Sequence, residues 1–297
     1  VNPLLKLLAD NHIILADGGL GTELQRAGLP RNIAPERWNL ENPEAVQQVH
    51  RAYAETGSQL ILTNTLGGNR FRLRMAGLSG QVIEINRQAV QLARRAAKNA
   101  VIVGSLGPTG LCFAPNGSLT WERCLSAYAE QAQILVEAGV DALLVETMVD
   151  LAEAQAAVAG VQSVTDLPLM ATVVVDKKGH MFMGAGPDEI VDRLWGMGLV
   201  AVGANCGSSM EGMIALACGM RKANAEAVLI AKPNAGSPRF EGDKAIYEID
   251  PPAFGQYSGH LIQADVKILG GCCGATPAHI AALKQVIDER ETIAALN

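Results

Sequence analysis

Eight short apolar runs recur along the chain, at residues 12–16, 59–63, 101–105, 142–145, 169–175, 200–204, 227–231 and 266–269. They are nearly continuous in Val, Ile, Leu and Ala, with little polar alternation. Such runs suit parallel strands covered on both faces. Between them the apolar spacing lengthens to that of a helix. The pattern predicts helices over 43–56, 84–99, 122–138, 151–164, 187–195, 210–223, 251–259 and 277–287. Pro187, Pro251 and Pro277 stand where proline suits a first helical turn. The opening Val-Asn-Pro-Leu-Leu-Lys-Leu-Leu reads as a surface helix with an apolar stripe. Eight strand–helix units predict an α/β chain folded as a (β/α)8 TIM barrel, one domain over residues 1–297. An open doubly wound sheet is the lesser alternative.

A barrel carries its chemistry just beyond the C-terminal ends of its strands. Polar punctuation gathers there. Asp17-Gly18-Gly19-Leu20-Gly21-Thr22 follows the first run and Asn64-Thr65-Leu66-Gly67-Gly68 the second. Glu146-Thr147 follows the fourth, Asn205-Cys206-Gly207 the sixth, and Lys232-Pro233-Asn234-Ala235-Gly236 the seventh. Gly270-Gly271-Cys272-Cys273-Gly274 follows the eighth. In a barrel these ends ring one mouth, so Cys206, Cys272 and Cys273 can converge. Three sulfur ligands with a fourth position open form a catalytic zinc pattern, and soft sulfur favours Zn²⁺ over Mg²⁺ or Mn²⁺. Buried free thiols and a vicinal disulfide are the other readings of the same residues. Cys112, Cys124 and Cys218 lie away from the predicted strand ends. A zinc ion held by three thiolates is a poor Lewis acid, but it deprotonates an incoming thiol, which points to alkyl transfer to sulfur.

Asp17 and Glu146 suit the ammonium of an amino-acid substrate; a helix cap or a salt bridge is the alternative for each. Gly18, Gly19 and Gly21 offer backbone N–H groups to a carboxylate. Their spacing is not that of a dinucleotide-binding turn. The stretch from Lys232 to Asp250 reads as a lid or as a solvated connection.

Composition narrows the partners. Twenty-four Lys and Arg against thirty Asp and Glu give a net charge of −6 with no dense basic run, which argues against nucleic acid. No apolar run approaches the roughly 20 residues that cross a bilayer. The first residues are too short and too mixed for a signal peptide, and six cysteines are too few for a disulfide scaffold, so a cytoplasmic location is expected. Small-molecule partners are expected, and a homo-oligomer is left open.

The Asp17 motif, Thr63-Asn64-Thr65, Gly203-Ala204-Asn205-Cys206 and the Cys272-Cys273 motif resemble the homocysteine S-methyltransferase family over almost the whole chain. The resemblance implies Zn²⁺ held by Cys206, Cys272 and Cys273, with homocysteine sulfur as fourth ligand and methionine as product. It implies that Asp17 and Glu146 bind the homocysteine amino group. Gly18, Thr63, Asn205, Asn234 and Trp38 complete the candidate substrate-binding set. Pro35-Glu36-Arg37-Trp38-Asn39, Gly107-Pro108-Thr109-Gly110, Gly117-Ser118-Leu119-Thr120 and Asn234-Ala235-Gly236 are similar to bacterial betaine–homocysteine methyltransferases. Glycine betaine is therefore the first expectation for the donor. Against it, Gly67 and Gly68 stand where the animal betaine enzymes carry an aromatic residue. Trp38, Phe71, Phe113 and Tyr257 are the aromatic candidates for a trimethylammonium. S-methylmethionine or another small sulfonium is the next expectation. A thiol-activating subunit working with a separate methyl-corrinoid protein follows, and a barrel with a structural or redox-sensing metal comes last. No folate or cobalamin domain is expected.

Overall fold

Each apolar run forms a strand in the computed structural model, which describes every residue except Asn11, Ser208, Asp243, Leu296 and Asn297. The strands are β1 (Ile14–Leu15), β2 (Leu60–Leu62), β3 (Val101–Leu106), β4 (Ala142–Met148), β5 (Leu169–Val173), β6 (Ala201–Cys206), β7 (Leu229–Pro233) and β10 (Val266–Leu269). β8 (Pro238–Glu241) and β9 (Lys244–Tyr247) form a separate antiparallel hairpin. Parallel pairing runs β2-β3-β4-β5-β6-β7-β10-β1. The ring closes where Ala16 bridges Leu60, with Gln59 N donating to Leu15 O at 2.7 Å and Asp17 N to Leu60 O at 3.0 Å. This closure excludes the open sheet.

The predicted helices are α4 (Pro43–Glu55), α6 (Val82–Ala96), α7 (Trp121–Ala138), α8 (Leu151–Gln162), α9 (Pro187–Trp195), α10 (Met210–Ala223), α11 (Pro251–Gln263) and α12 (Pro277–Ala295). Thr120, Asp150, Ser209 and Asp250 cap α7, α8, α10 and α11 by accepting a backbone N–H, which satisfies donors that the first turn leaves open. Short helices α2 (Leu20–Arg26), α3 (Trp38–Glu41) and α5 (Arg70–Met75) lie in the loops after β1 and β2. The first helix, α1 (Pro3–Ala9), differs from its expected place on the surface. Leu4 is fully buried among Ile14, Leu60, Val101 and Ala201, so α1 plugs the end of the barrel where strands begin.

The barrel interior explains the site. Val103, Leu144, Met170 and Ile230 belong to its apolar filling. Side chains alternate along a strand, so the next inward position lies two residues on. Those positions are Ser105, Glu146, Thr172 and Lys232, and Asn205 follows Gly203 in the same way on β6. All five are buried. The interior thus changes from apolar to polar within one layer, and that polar layer is the floor of the mouth.

Candidate active site and metal centre

Cys206 ends β6 and Cys272-Cys273 lie in the turn after β10. The three Sγ atoms all lie within 4.8 Å of one another, and Cys206 Sγ is 3.8 Å from Cys273 Sγ. Backbone bonds set the turn against the end of β7: Cys272 N donates to Pro233 O at 2.8 Å, and Ala235 N to Cys273 O at 3.0 Å. Gly274 has φ +78°, and a Cβ there would fall 2.2 Å from the Tyr247 side chain. Tyr247, at the end of β9, therefore lies flush over the turn, close enough to Cys273 for the sulfur to act on its hydroxyl.

The thiols hold their protons when left to themselves. Cys272 and Cys273 act on Cys206 through sulfur hydrogen bonds of opposite effect, and burial completes a net rise to about 12. Cys206 and Cys272 act on Cys273 in the same opposed way, and it too is pushed up to about 12. Crowded, buried thiols that resist ionisation are what a soft divalent cation resolves, by taking them as thiolates. A buried oxygen also lacks a partner here. Asn234 Nδ2 donates to Gly207 O at 3.1 Å, while Asn234 Oδ1 accepts no hydrogen bond among the described residues. The residues fit a zinc ion.

Beneath the sulfurs lies the polar floor. Lys232 Nζ donates to Asp17 Oδ1 at 2.8 Å, and Leu62 N donates to Asp17 Oδ2 at 2.8 Å. Ser105 Oγ donates to Glu146 Oε1 at 2.5 Å, and Asn205 Nδ2 lies 3.4 Å from Glu146 Oε2. Burial pushes both carboxyls above their usual range, and Lys232 works against that rise in each. Burial works to lower the Lys232 ammonium, but Asp17 and Glu146 together outweigh it and hold it raised. Two buried carboxyls share one cation, an arrangement that suits a ligand bringing its own positive charge.

Above the floor opens a cavity of about 730 Å³. Asp17, Gly18, Thr63, Glu146, Asn205, Cys272 and Cys273 line it. Its outer wall carries Glu36, Arg72, Arg31 and Phe240. Glu36 is buried and accepts Gly67 N at 2.6 Å. The Arg31 guanidinium lies 4.5 Å from the centre of the Phe240 ring, joining the loop after β1 to the β8–β9 hairpin. The long stretch after β7 is thus a hairpin that walls the site.

The sequence profile of the homocysteine S-methyltransferase family matches residues 14–287. The chain belongs to the homocysteine S-methyltransferase family. It is 29% identical to the methionine synthases of Mycobacterium leprae and Mycobacterium tuberculosis over 93% of its length. It spans about a quarter of the length of those relatives: 24% and 25%. The metallated form of the homocysteine methyltransferase MmuM from Escherichia coli is 26% identical, with a TM-score of 0.80 over 96% of this chain and 99% of that one. The oxidised form of MmuM gives a TM-score of 0.82 over the same shares of the two chains.

Within this family member the expected residues fall into three groups. Cys206, Cys272 and Cys273 meet, and Asp17, Gly18, Thr63, Glu146 and Asn205 share the cavity beneath them. Asn234 sits behind the wall beside Cys206 and does not line the cavity. Trp38 opens α3, packs partly buried against the core, and lies outside the cavity. Phe71, Phe113 and Tyr257 also lie outside it; its aromatic residues are Phe240 and Tyr247. Sequence reasoning passed over Lys232, Ser105 and Thr172 as site residues. The signal was present: each falls two residues beyond an apolar inward position.

Proposed function

We propose that this protein transfers a methyl group to the thiol of homocysteine, giving methionine, with zinc held by Cys206, Cys272 and Cys273. The convergence of three sulfurs directly above a carboxylate floor carries this reading. Zinc, when bound, would supply the charge that keeps the substrate sulfur as a thiolate at neutral pH. Asn234 Oδ1, beside Cys206 and without a partner among the described residues, would offer an oxygen to a bound cation.

The chain's own residues place the acceptor. Glu146 takes the homocysteine ammonium, with Ser105 and Asn205 holding its carboxylate in place. Asp17 adds negative charge from the other side of the same floor. Thr63 lines the cavity but spends its hydroxyl on Thr65 Oγ1 at 2.6 Å and Ser105 N at 3.1 Å, so it shapes the pocket. One carbon–sulfur bond forms and one methyl–onium bond breaks, leaving the donor as a neutral amine or sulfide. The protein must hold sulfur, methyl and leaving group in line, which suits a rigid floor and a walled cavity.

For the donor, the outer wall favours a sulfonium amino acid such as S-methylmethionine over glycine betaine. A trimethylammonium seeks aromatic faces. Here one face of Phe240 is taken by Arg31, and Tyr247 packs on Gly274. Glu36 and Arg72 instead offer opposite charges to an ammonium and a carboxylate. A competition assay tests this: zinc-loaded protein receives homocysteine with betaine, S-methylmethionine and dimethylsulfoniopropionate together, and demethylated products are read by mass spectrometry. Dimethylglycine or methylthiopropionate beside methionine fixes betaine or dimethylsulfoniopropionate; loss of S-methylmethionine with two methionines per donor consumed fixes the sulfonium amino acid. The likeness to methionine synthases about four times as long supports a second reading, a thiol-activating unit served by a methyl-corrinoid protein. Intact donors with verified homocysteine binding would favour it.

A further inference from the structure

Lys232 is the one buried lysine or arginine among the described residues, 3% exposed, in a barrel otherwise filled with apolar and neutral polar groups and two acids. A buried ion pair is a poor source of stability, because desolvation offsets most of its attraction. The Lys232–Asp17 pair therefore calls for another reason to sit in the floor. An ammonium carries three protons. Asp17 Oδ1 takes one of them at 2.8 Å, and among the described residues Lys232 Nζ has no other hydrogen-bond partner. The side chain lines the cavity, close enough to Cys272 for their charges to interact.

An amino-acid thiol with its sulfur at the three cysteines has a short reach. Three carbons separate sulfur from carboxylate, a span of roughly 5 Å. Some other donors are engaged elsewhere, while Gly18 N, on the same cavity, has no acceptor among the described residues and can share the carboxylate. Gly19 N already donates to Ala275 O at 2.9 Å, and Leu20 N to Gly18 O at 3.0 Å. Arg31 and Arg72 belong to the outer wall beside Phe240 and Glu36.

We propose that Lys232, held by Asp17, binds the carboxylate of the acceptor thiol and makes the site selective for thiols that are also amino acids. This rests on the reading of homocysteine as acceptor. Glu146 and Lys232 then read the two ends of one zwitterion, while Asp17 keeps the lysine side chain aimed.

The test compares binding of L-homocysteine and of 3-aminopropane-1-thiol, which lacks the carboxylate, by calorimetry on zinc-loaded protein. Wild type, Lys232→Met and Lys232→Arg are measured, with metal content determined for each. Wild type should prefer homocysteine by roughly 10- to 100-fold, the range for a charge-assisted hydrogen bond. Lys232→Met should lose most of that preference yet bind the analogue at least as well as wild type. Lys232→Arg should keep part of the preference. An unchanged preference in Lys232→Met overturns the proposal. Should the methionine variant fail to fold, wild type is compared on homocysteine and its carboxamide, and equal affinities overturn it. If wild type binds neither homocysteine nor the analogue, the acceptor reading itself fails and this assignment falls with it.

Discussion

Asn205 holds Thr147 by two hydrogen bonds: its Oδ1 accepts Thr147 N at 2.8 Å, and its Nδ2 donates to Thr147 Oγ1 at 2.7 Å. Thr147 has φ +65°, a left-handed conformation that a β-branched residue adopts only when its surroundings impose it. Cys206, the residue after Asn205, has φ +61°. The amide thus ties the end of β4 to the end of β6 where both strands turn sharply. Thr172 Oγ1 also donates to Asn205 Oδ1, at 2.7 Å, which fixes the amide orientation.

Asn205→Ala should therefore loosen the metal site without removing a ligand. Groups that orient ligands from behind typically contribute 10- to 100-fold to metal affinity. A weakening of about that size is expected in competition with a zinc chelator, with the circular dichroism spectrum unchanged. Wild-type zinc affinity in the variant would show that the Cys206 backbone keeps its conformation unaided.

Cys272→Ser addresses the ligand set itself. Serine replaces a soft donor with a hard one and leaves two thiols. Zinc content should fall from one equivalent to near zero after dialysis, and methionine formation should fall by at least about 1,000-fold, the scale on which losing a reaction's central electrostatic element is felt. Full occupancy measured by inductively coupled plasma mass spectrometry would remove Cys272 from the metal site.

Glu146→Gln separates acceptor binding from metal binding. The amide still accepts from Ser105 but carries no charge for an ammonium. Homocysteine affinity should drop roughly 10- to 100-fold, the loss expected for one buried charge-assisted contact. Zinc should stay at one equivalent, because Glu146 lies in the floor and not among the sulfurs. Equal affinity for homocysteine in variant and wild type would assign the ammonium to another group.

The barrel was legible because its strands are covered on both faces and therefore read as unbroken apolar runs. Their ends were not. The runs at 142–145, 200–204 and 227–231 stop short of the paired strands, which continue to Met148, Cys206 and Pro233. Apolar character ends where the barrel interior turns polar, while backbone pairing goes on. Glu146, Asn205 and Lys232 thus look like loop punctuation in sequence but are strand residues facing inward. The cysteines were legible from the parallel strand order, since β6 and β10 flank β7 and end at the same rim. The hairpin was not legible. The four residues of β8 are all exposed and include Pro238, Arg239 and Glu241, so no apolar alternation marks them. Helices α2, α3 and α5 were hidden by their length, seven residues or fewer, too short for a helical period to emerge.

His50 makes the fold sensitive to acid. It lies on α4, fully buried, and neither ring nitrogen has a hydrogen-bond partner among the described residues. Burial disfavours the charged ring and lowers its pKa from 6.5 to about 4. Between those values the unfolded chain binds a proton that the folded chain does not, so stability rises with pH across this window. The contribution is complete above about pH 6.5 and is lost as pH falls toward 4. From pH 7.5 to 4.5 the loss is roughly 2–3 kcal/mol, at 1.36 kcal/mol per pKa unit. His50→Leu fills a similar space without a titrating group. Urea unfolding of both proteins at the two pH values isolates the histidine from the carboxylates, which titrate in each. Wild type should lose roughly 2–3 kcal/mol more than His50→Leu. Equal losses would mean that the ring finds a partner when protonated.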